Sequence, residues 1–309
     1  MQPFRSILVD IDATAKAQPA LERAVRIARG CGARIRVVDV ISVPSAARGY
    51  WRADLERDAA NRRYEQLLGI AAGVTGVTVD TNVLLGQPAR ALIQEVLRGG
   101  HDLLVRSHAR DVVARDPKLF GTVDAQLFRK CPCPVWAVGP GPVPRYPKVV
   151  GAVHATTSVT HEQEMNTKII DLAGSIADLE RGSLSLLHAW QPVAERSMLS
   201  HASDMEFSAY LHTLQRGAAE SLAHLKDSFG RYLSGVQVDL KRGDPEEVIP
   251  EFVVAHGIDL VVVGTVARAG LAGFLIGNTA ERLLQKLPCS ILAVKSDGFV
   301  SPVRPGEPA

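Results

Sequence analysis

Between Gly264 and Thr279 the chain carries glycines at Gly264, Gly270, Gly273 and Gly277, in a loop that leaves an apolar strand and ends where a helix begins near Thr279. That combination can hold an anion. Backbone N–H groups at a helix start have no partner within the helix, and glycines let a phosphate oxygen approach the main chain closely. The candidate residues are Val263 and Gly264 at the strand end, and Gly277, Asn278 and Thr279 at the helix start. Asn278 and Thr279 add side-chain donors. His154, at the end of another strand, can stack or donate, and Val263 with Ala189 would supply an apolar wall.

A counterpart lies earlier in the chain. Ser107 to Thr122 follows a similar strand and keeps Gly121 and Thr122, but lacks the early glycines and carries Arg110, Asp111, Arg115 and Asp116. Asp12, a strand-end carboxylate with two acceptor oxygens, completes this possible degenerate site. Each signal has a second reading. Glycines after a strand also simply turn the chain, a strand-end histidine is often satisfied by a neighbour, and Arg110 and Arg115 can pair with Asp111 and Asp116 across a solvated loop. The residues alone leave both readings open.

The elements that position these loops are written twice. Gly86, Pro88 and Asp102 recur as Gly243, Pro245 and Asp259, each Asp leading into an apolar run, and Cys133 and Cys289 precede matching last strands. One α/β unit has been duplicated. In the first copy, strands are expected at 7–12, 33–41, 77–84, 103–105 and 135–138, with helices at 19–31, 51–72, 88–99 and 123–129. The second copy has strands at 149–153, 184–188, 236–240, 260–263 and 291–294. Its long middle helix carries Leu211, Leu214, Ala218, Leu222, Leu225 and Phe229 as one stripe, read as facing the sheet. Gly139 to Pro144 makes a stiff linker. Short apolar strands alternating with helices imply an α/β fold in which each half is a five-stranded parallel sheet with helices on both faces. Ligands in such sheets sit beyond the carboxyl ends of the strands. The domain boundaries are set at 1–141 and 146–296, with a flexible tail at 297–309.

With 309 residues, 46% hydrophobic and 22% charged, and a net charge of +2, the chain has neither a basic surface for nucleic acid nor one for anionic lipid. Apolar runs fall short of the ~20 residues of a membrane span, and the start at Met1 shows no secretion signal, so a cytoplasmic location is expected. No metal is assigned: Cys131 and Cys133 need further ligands that the sequence does not locate. There is no phosphate-binding Gly-x-x-x-x-Gly-Lys loop, no dinucleotide glycine motif after the first strand and no serine elbow, so no catalytic residues are assigned.

Gly264, Ala267, Gly277 and Asn278 match, with two substitutions, the Gly-x-x-Gly-x9-Gly-Ser/Thr nucleotide loop of another group of proteins, and Asp12 matches its first-strand Asp. On these residues, together with the runs at 99–103, 128–132, 243–250 and 277–281, the chain resembles the universal stress proteins, in their tandem, type E form. The resemblance implies two tandem Rossmann-like domains and a role in stress response. It also implies binding of ATP or a related adenine nucleotide, with Mg2+ alongside it, mainly in the second half. At most it implies weak ATP hydrolysis; a binder is expected rather than a turnover enzyme. The alternative is a stress scaffold that binds no nucleotide and acts through protein or other small-ligand contacts. By analogy with the family, the two halves would pair through their last strands, and a homodimer would remain open.

Overall fold

The computed structural model describes residues 3–42, 53–107, 122–139, 142, 147–154, 160–192, 203–265 and 286–306. The first half runs β1 (Ser6–Asp10), α1 (Pro19–Cys31), β2 (Arg34–Ile41), α2 (Ala53–Ala72), β3 (Val79–Leu85), α3 (Pro88–Gly99), β4 (Leu103–Ser107), α4 (Thr122–Lys130) and β5 (Val135–Val138). The second runs β6 (Lys148–Ala152), α5 (Thr160–Leu179), β7 (Ser183–Trp190), α6 (Asp204–Phe229), β8 (Gln237–Arg242), α7 (Pro245–His256), β9 (Leu260–Gly264) and β10 (Ser290–Val294).

Proline and glycine set the helix ends. Pro19, Pro88 and Pro245 open α1, α3 and α7, where a missing N–H costs nothing, and Gly32, Gly100 and Gly257 close them in the left-handed conformation. The repeated aspartates have a repeated task. Asp102 accepts the N–H groups of Arg5 and Ser6 at 2.8 and 3.0 Å, and Asp259 accepts that of Lys148 at 2.8 Å. In each half the residue before the fourth strand therefore ties down the start of the first.

The strand order is β3-β2-β1-β4-β5-β10-β9-β6-β7-β8. Pairs within each half are parallel, whereas β5 and β10 run antiparallel, with Trp136 opposite Leu292. The halves thus join through their last strands, and each covers an edge that would otherwise expose unpaired backbone groups. Two five-stranded sheets become one of ten strands.

Two cores lie on the two faces. One gathers α1, α2, α5 and α6 around Phe4, Ile7, Ile35, Trp136, Ile169 and Leu222, and the other gathers α3, α4 and α7 around Leu8, Leu92, Phe128, Val150, Phe252 and Ile291. On the first face α1 and α5 cross the seam between the halves. A Cβ added at Gly30 would stand 2.6 Å from Leu179 Cδ2, so any larger residue there must push that side chain aside.

The apolar stripe of α6 divides. Leu222 and Leu225 are buried against the sheet, as the sequence suggests, and Phe229 packs beside them. Leu211, nearer the start of α6, instead lines an open cleft of about 230 Å³ with Trp190 and Leu240, because the helix outruns the strands it covers. The β3 ladder begins at Val79 opposite Ile35, two residues later than the apolar pattern. Residues 297–306, the described part of the tail, touch both halves: Gln94 Nε2 donates to the Arg304 carbonyl at 3.2 Å, and Lys168 pairs with Asp297 at 2.7 Å. Among the described residues no helix is long and apolar enough to cross a membrane.

Candidate functional site

Matching backbone bonds show which residues of the two halves are equivalent. The Ile11 N–H bonds the Val38 carbonyl and the Val153 N–H bonds the Leu187 carbonyl, both at 3.0 Å, while Asp102 and Asp259 bond back to Ser6 and Lys148. Asp10, Asp12 and Asp39 therefore correspond to Ala152, His154 and His188. Arg106 and Ser107 correspond to Val263 and Gly264. These residues ring two mouths at the carboxyl ends of the strands, where ligands bind in parallel sheets.

The first mouth is filled with charge. On the α4 face Arg106 pairs with Asp10 at 3.1 Å and with Asp124, in the first turn of α4. On the α2 face Arg63 reaches both Asp12 at 3.0 Å and Asp39 at 3.1 Å. Asp12 also accepts the Thr14 hydroxyl and N–H at 2.5 and 2.8 Å. These Thr14 bonds, above all, hold the Asp12 carboxyl below the usual range. Burial acts the other way on Asp39, which is pushed up, and on Asp10, which is raised to about 6 against the pull of Arg106. Four carboxylates thus face two guanidinium groups.

Among the described residues no carboxylate lies at the equivalent positions of the second mouth. His154 is exposed, and its main chain is clamped by Asn166, which accepts its N–H at 2.9 Å and donates to its carbonyl at 2.8 Å. Its ring meets that of His188 edge-on, with centroids 5.6 Å apart. His188 Nδ1 lies 3.1 Å from the Val153 carbonyl, and burial lowers its pKa to about 4, so it stands neutral at physiological pH. Val263 is half-buried toward the α7 face. On the other face Met165 of α5 covers Gly264: a Cβ there would meet its Cγ and Sδ at 2.8 Å. Beyond it, Thr265 is fastened to the Val294 carbonyl by its N–H at 2.9 Å and its hydroxyl at 3.1 Å.

The strand-end candidates fall where the sequence places them. Asp12 and Ser107 share one mouth, and His154, Val263 and Gly264 the other. Thr122 is the first residue of α4. Ala267, Gly277, Asn278, Thr279 and Gly121 lie outside the described residues, as do Arg110 and Arg115. Sequence reasoning missed Asp10, Asp39, Arg63, Arg106 and Asp124 in the first half, and Met165, Asn166 and His188 in the second. A signal for some existed: Arg106 interrupts an apolar strand where the second copy has Val263, and Asp39 does so where it has His188. Among the described residues no group of three or more His, Cys, Asp or Glu side chains could hold a metal ion.

Known proteins share this architecture over the whole chain. A model described as the universal stress protein family matches residues 3–139 and 159–295. Universal stress protein E of Photorhabdus laumondii is 30% identical over 98% of this chain and 99% of its own length. That of Escherichia coli K12 is 28% identical over 98% of both. Among solved structures, a functionally unknown protein from Pseudomonas aeruginosa PAO1 aligns with a TM-score of 0.67 and 26% identity, covering 96% of this chain and 94% of that one. A universal stress protein from Archaeoglobus fulgidus has the same fold, with a TM-score of 0.67 at 15% identity, covering 96% of this chain and 98% of that one.

Proposed function

The chain belongs to the universal stress protein family as a tandem member, and on that premise we propose that its second half binds an adenine nucleotide, ATP or a related adenylate. In this reading it acts in the cytoplasm during stress, as a binder whose occupancy alters its contacts with partners. One observation carries the choice of half, the difference in charge between the two mouths, the first crowded with carboxylates and the second without them at the described equivalent positions. Asp10, Asp12, Asp39 and Asp124 surround the first, and a polyphosphate entering there would face four carboxylates already paired with the guanidinium groups present. The second offers Ala152, His154, His188 and Val263 at the positions equivalent to Asp10, Asp12, Asp39 and Arg106, and so admits an anion without that repulsion. His154 would stand near the base or ribose. Val263 and Gly264 would border the entry, and Ala267, Gly277, Asn278 and Thr279 would cradle the phosphates, with Mg2+ accompanying them.

Calorimetry on the full chain tests this reading. Wild type should take up about one ATP, and Ala152→Asp, which places a carboxylate where the first mouth has Asp10, should weaken binding at least tenfold, as should Gly277→Asp. Absence of heat in wild type ends it, and so does binding that Ala152→Asp leaves untouched.

The seam between the halves favours a second reading, an interaction scaffold. Antiparallel pairing of β5 with β10 builds a ten-stranded platform within one chain whatever the mouths contain. Native mass spectrometry after gentle purification separates the two: a co-purified adenylate supports binding, and a bare chain that still captures a protein partner supports the scaffold.

A further inference from the structure

Cys131 and Cys133 lie at the junction where α4 ends and β5 begins, at the start of a strand and so at the opposite edge of the sheet from the first mouth. Their sulfurs are 3.6 Å apart, and both residues are buried, at 0% and 7% exposure. The turn between α4 and β5 fixes them. The Cys131 N–H closes the last turn of α4 on the Leu127 carbonyl at 2.8 Å, and Pro134 follows Cys133 at the entry to β5.

Lys295, one residue past β10, enters the same place from the other half. It is 4% exposed, and its Nζ donates to the Phe128 carbonyl and, at 3.4 Å, to the Arg129 carbonyl while standing 4.7 Å from the Phe299 ring. Among the described residues no carboxylate pairs with it. Antiparallel pairing of β10 with β5, Ala293 opposite Val135, carries Lys295 alongside Cys133. A buried lysine without a carboxylate is costly, and two thiols beside it are inert packing unless something makes them anionic.

We propose that Cys131 and Cys133 form a two-coordinate site for a soft monovalent cation of the cuprous class, with Lys295 offsetting the charge of the complex. Thiolates select such ions. Binding replaces two S–H protons, released to solvent, by one monovalent ion, so the site gains one net negative charge, which the lysine balances. Metal–sulfur bonds in line, somewhat shorter than the ~2.3 Å of four-coordinate zinc, would set the sulfurs a little over ~4 Å apart, wider than they stand, so binding turns the two side chains away from each other. Zinc is not suited, because it takes four ligands and no larger donor group surrounds this pair among the described residues. The shortage of ligands that argues against zinc is what a two-coordinate ion requires.

The test is anaerobic titration of the reduced full-length chain with Cu(I) against a chromophoric chelator, with X-ray absorption on the copper form. The expected result is one tightly held equivalent with two sulfur neighbours and no nitrogen or oxygen neighbour. Cys131→Ser and Cys133→Ser should each weaken binding at least a hundredfold, and Lys295→Met at least tenfold with the stoichiometry unchanged, each variant checked for its fold by circular dichroism. The proposal is overturned if the chelator keeps the copper or if both serine variants still bind it. Mixed nitrogen and sulfur coordination in the wild-type spectrum, or a Cys131–Cys133 disulfide in place of a complex, overturns it as well. The wild-type spectrum decides the matter even if a variant fails to fold.

Discussion

Arg23 of α1 and Glu180, just past α5, form an ion pair across the seam between the two halves, with side chains only 3% and 2% exposed. Arg26 reaches the other oxygen of Glu180 at 3.0 Å, and the Arg23 guanidinium lies 5.4 Å from the centre of the Trp136 ring. A buried pair of this kind fixes geometry more than it adds stability, since desolvation offsets most of the attraction. Removal of one partner is another matter, because the remaining charge stays buried alone. Glu180→Ala should therefore destabilise the protein by about 3–5 kcal/mol, and Glu180→Gln by less, since the amide oxygen can still accept. Urea denaturation checks this, and equal midpoints for Glu180→Ala and wild type would show that Arg23 finds another partner.

Trp136 sits on β5 opposite Leu292 of β10 and is 1% exposed, so the seam is packed around an indole. Among the described residues its Nε1 has no hydrogen-bond partner. Trp136→Ala should cost about 3–5 kcal/mol through the cavity it leaves. Trp136→Phe should cost far less than that, because the smaller ring also removes a buried donor that is left unsatisfied. The pair of denaturation curves separates packing from hydrogen bonding at this position.

Most of the architecture was legible because the chain states it twice. Gly86 with Gly243, and Asp102 with Asp259, occur at matching points, and each pair performs one structural task, so a pattern too weak in one copy is reinforced by the other. The pairing of β5 with β10 could be foreseen only from the family resemblance, since apolar strands do not announce their neighbours. The mouths were legible only in part. Asp12 and His154 stand at strand ends, where sequence order places them. Arg63 reaches Asp12 and Asp39 from α2, and Arg106 joins β1 to α4; these contacts depend on how helices fold back over strands. Met165 shows the same limit: it accounts for the glycine at Gly264 through packing, a reason that no loop pattern contains.

Asp10 should make stability depend on pH in an unusual direction. Burial raises its carboxyl from 3.8 to about 6, so the folded chain holds this proton more tightly than the unfolded chain does. Its contribution is fully present below about pH 4 and is lost as the pH rises through about 6. A rise of this size corresponds to on the order of 2–3 kcal/mol. Asp10→Asn has no proton to lose and keeps the Arg106–Asp124 pair. The stability of wild type relative to Asp10→Asn should thus fall by that amount between about pH 4 and 6 and stay level above about pH 6.5. Chemical denaturation of both proteins across this range provides the comparison, and a difference that does not change with pH would mean that Asp10 stays ionised throughout.

Gly86 and Gly243 turn the chain after β3 and β8 with φ of +123° and +140°, a region that side chains avoid. Each N–H is drawn back into the sheet, Gly86 to the Ile41 carbonyl at 3.0 Å and Gly243 to the Trp190 carbonyl at 2.8 Å, so the turn cannot relax without losing a bond. At Gly243 there is a steric demand as well, since a Cβ would stand 2.7 Å from Val248 Cγ2. Alanine at either position should cost about 1–3 kcal/mol, with Gly243→Ala the more damaging. Gly69, in the exposed part of α2 with nothing near its missing Cβ, is the control: Gly69→Ala should leave stability unchanged or raise it by up to about 1 kcal/mol. Thermal melts of the three variants distinguish backbone strain from a general sensitivity to lost glycine. If Gly86→Ala and Gly243→Ala melt with wild type, the strain assigned to these turns is absent, and the two copies share these glycines for a reason other than conformation.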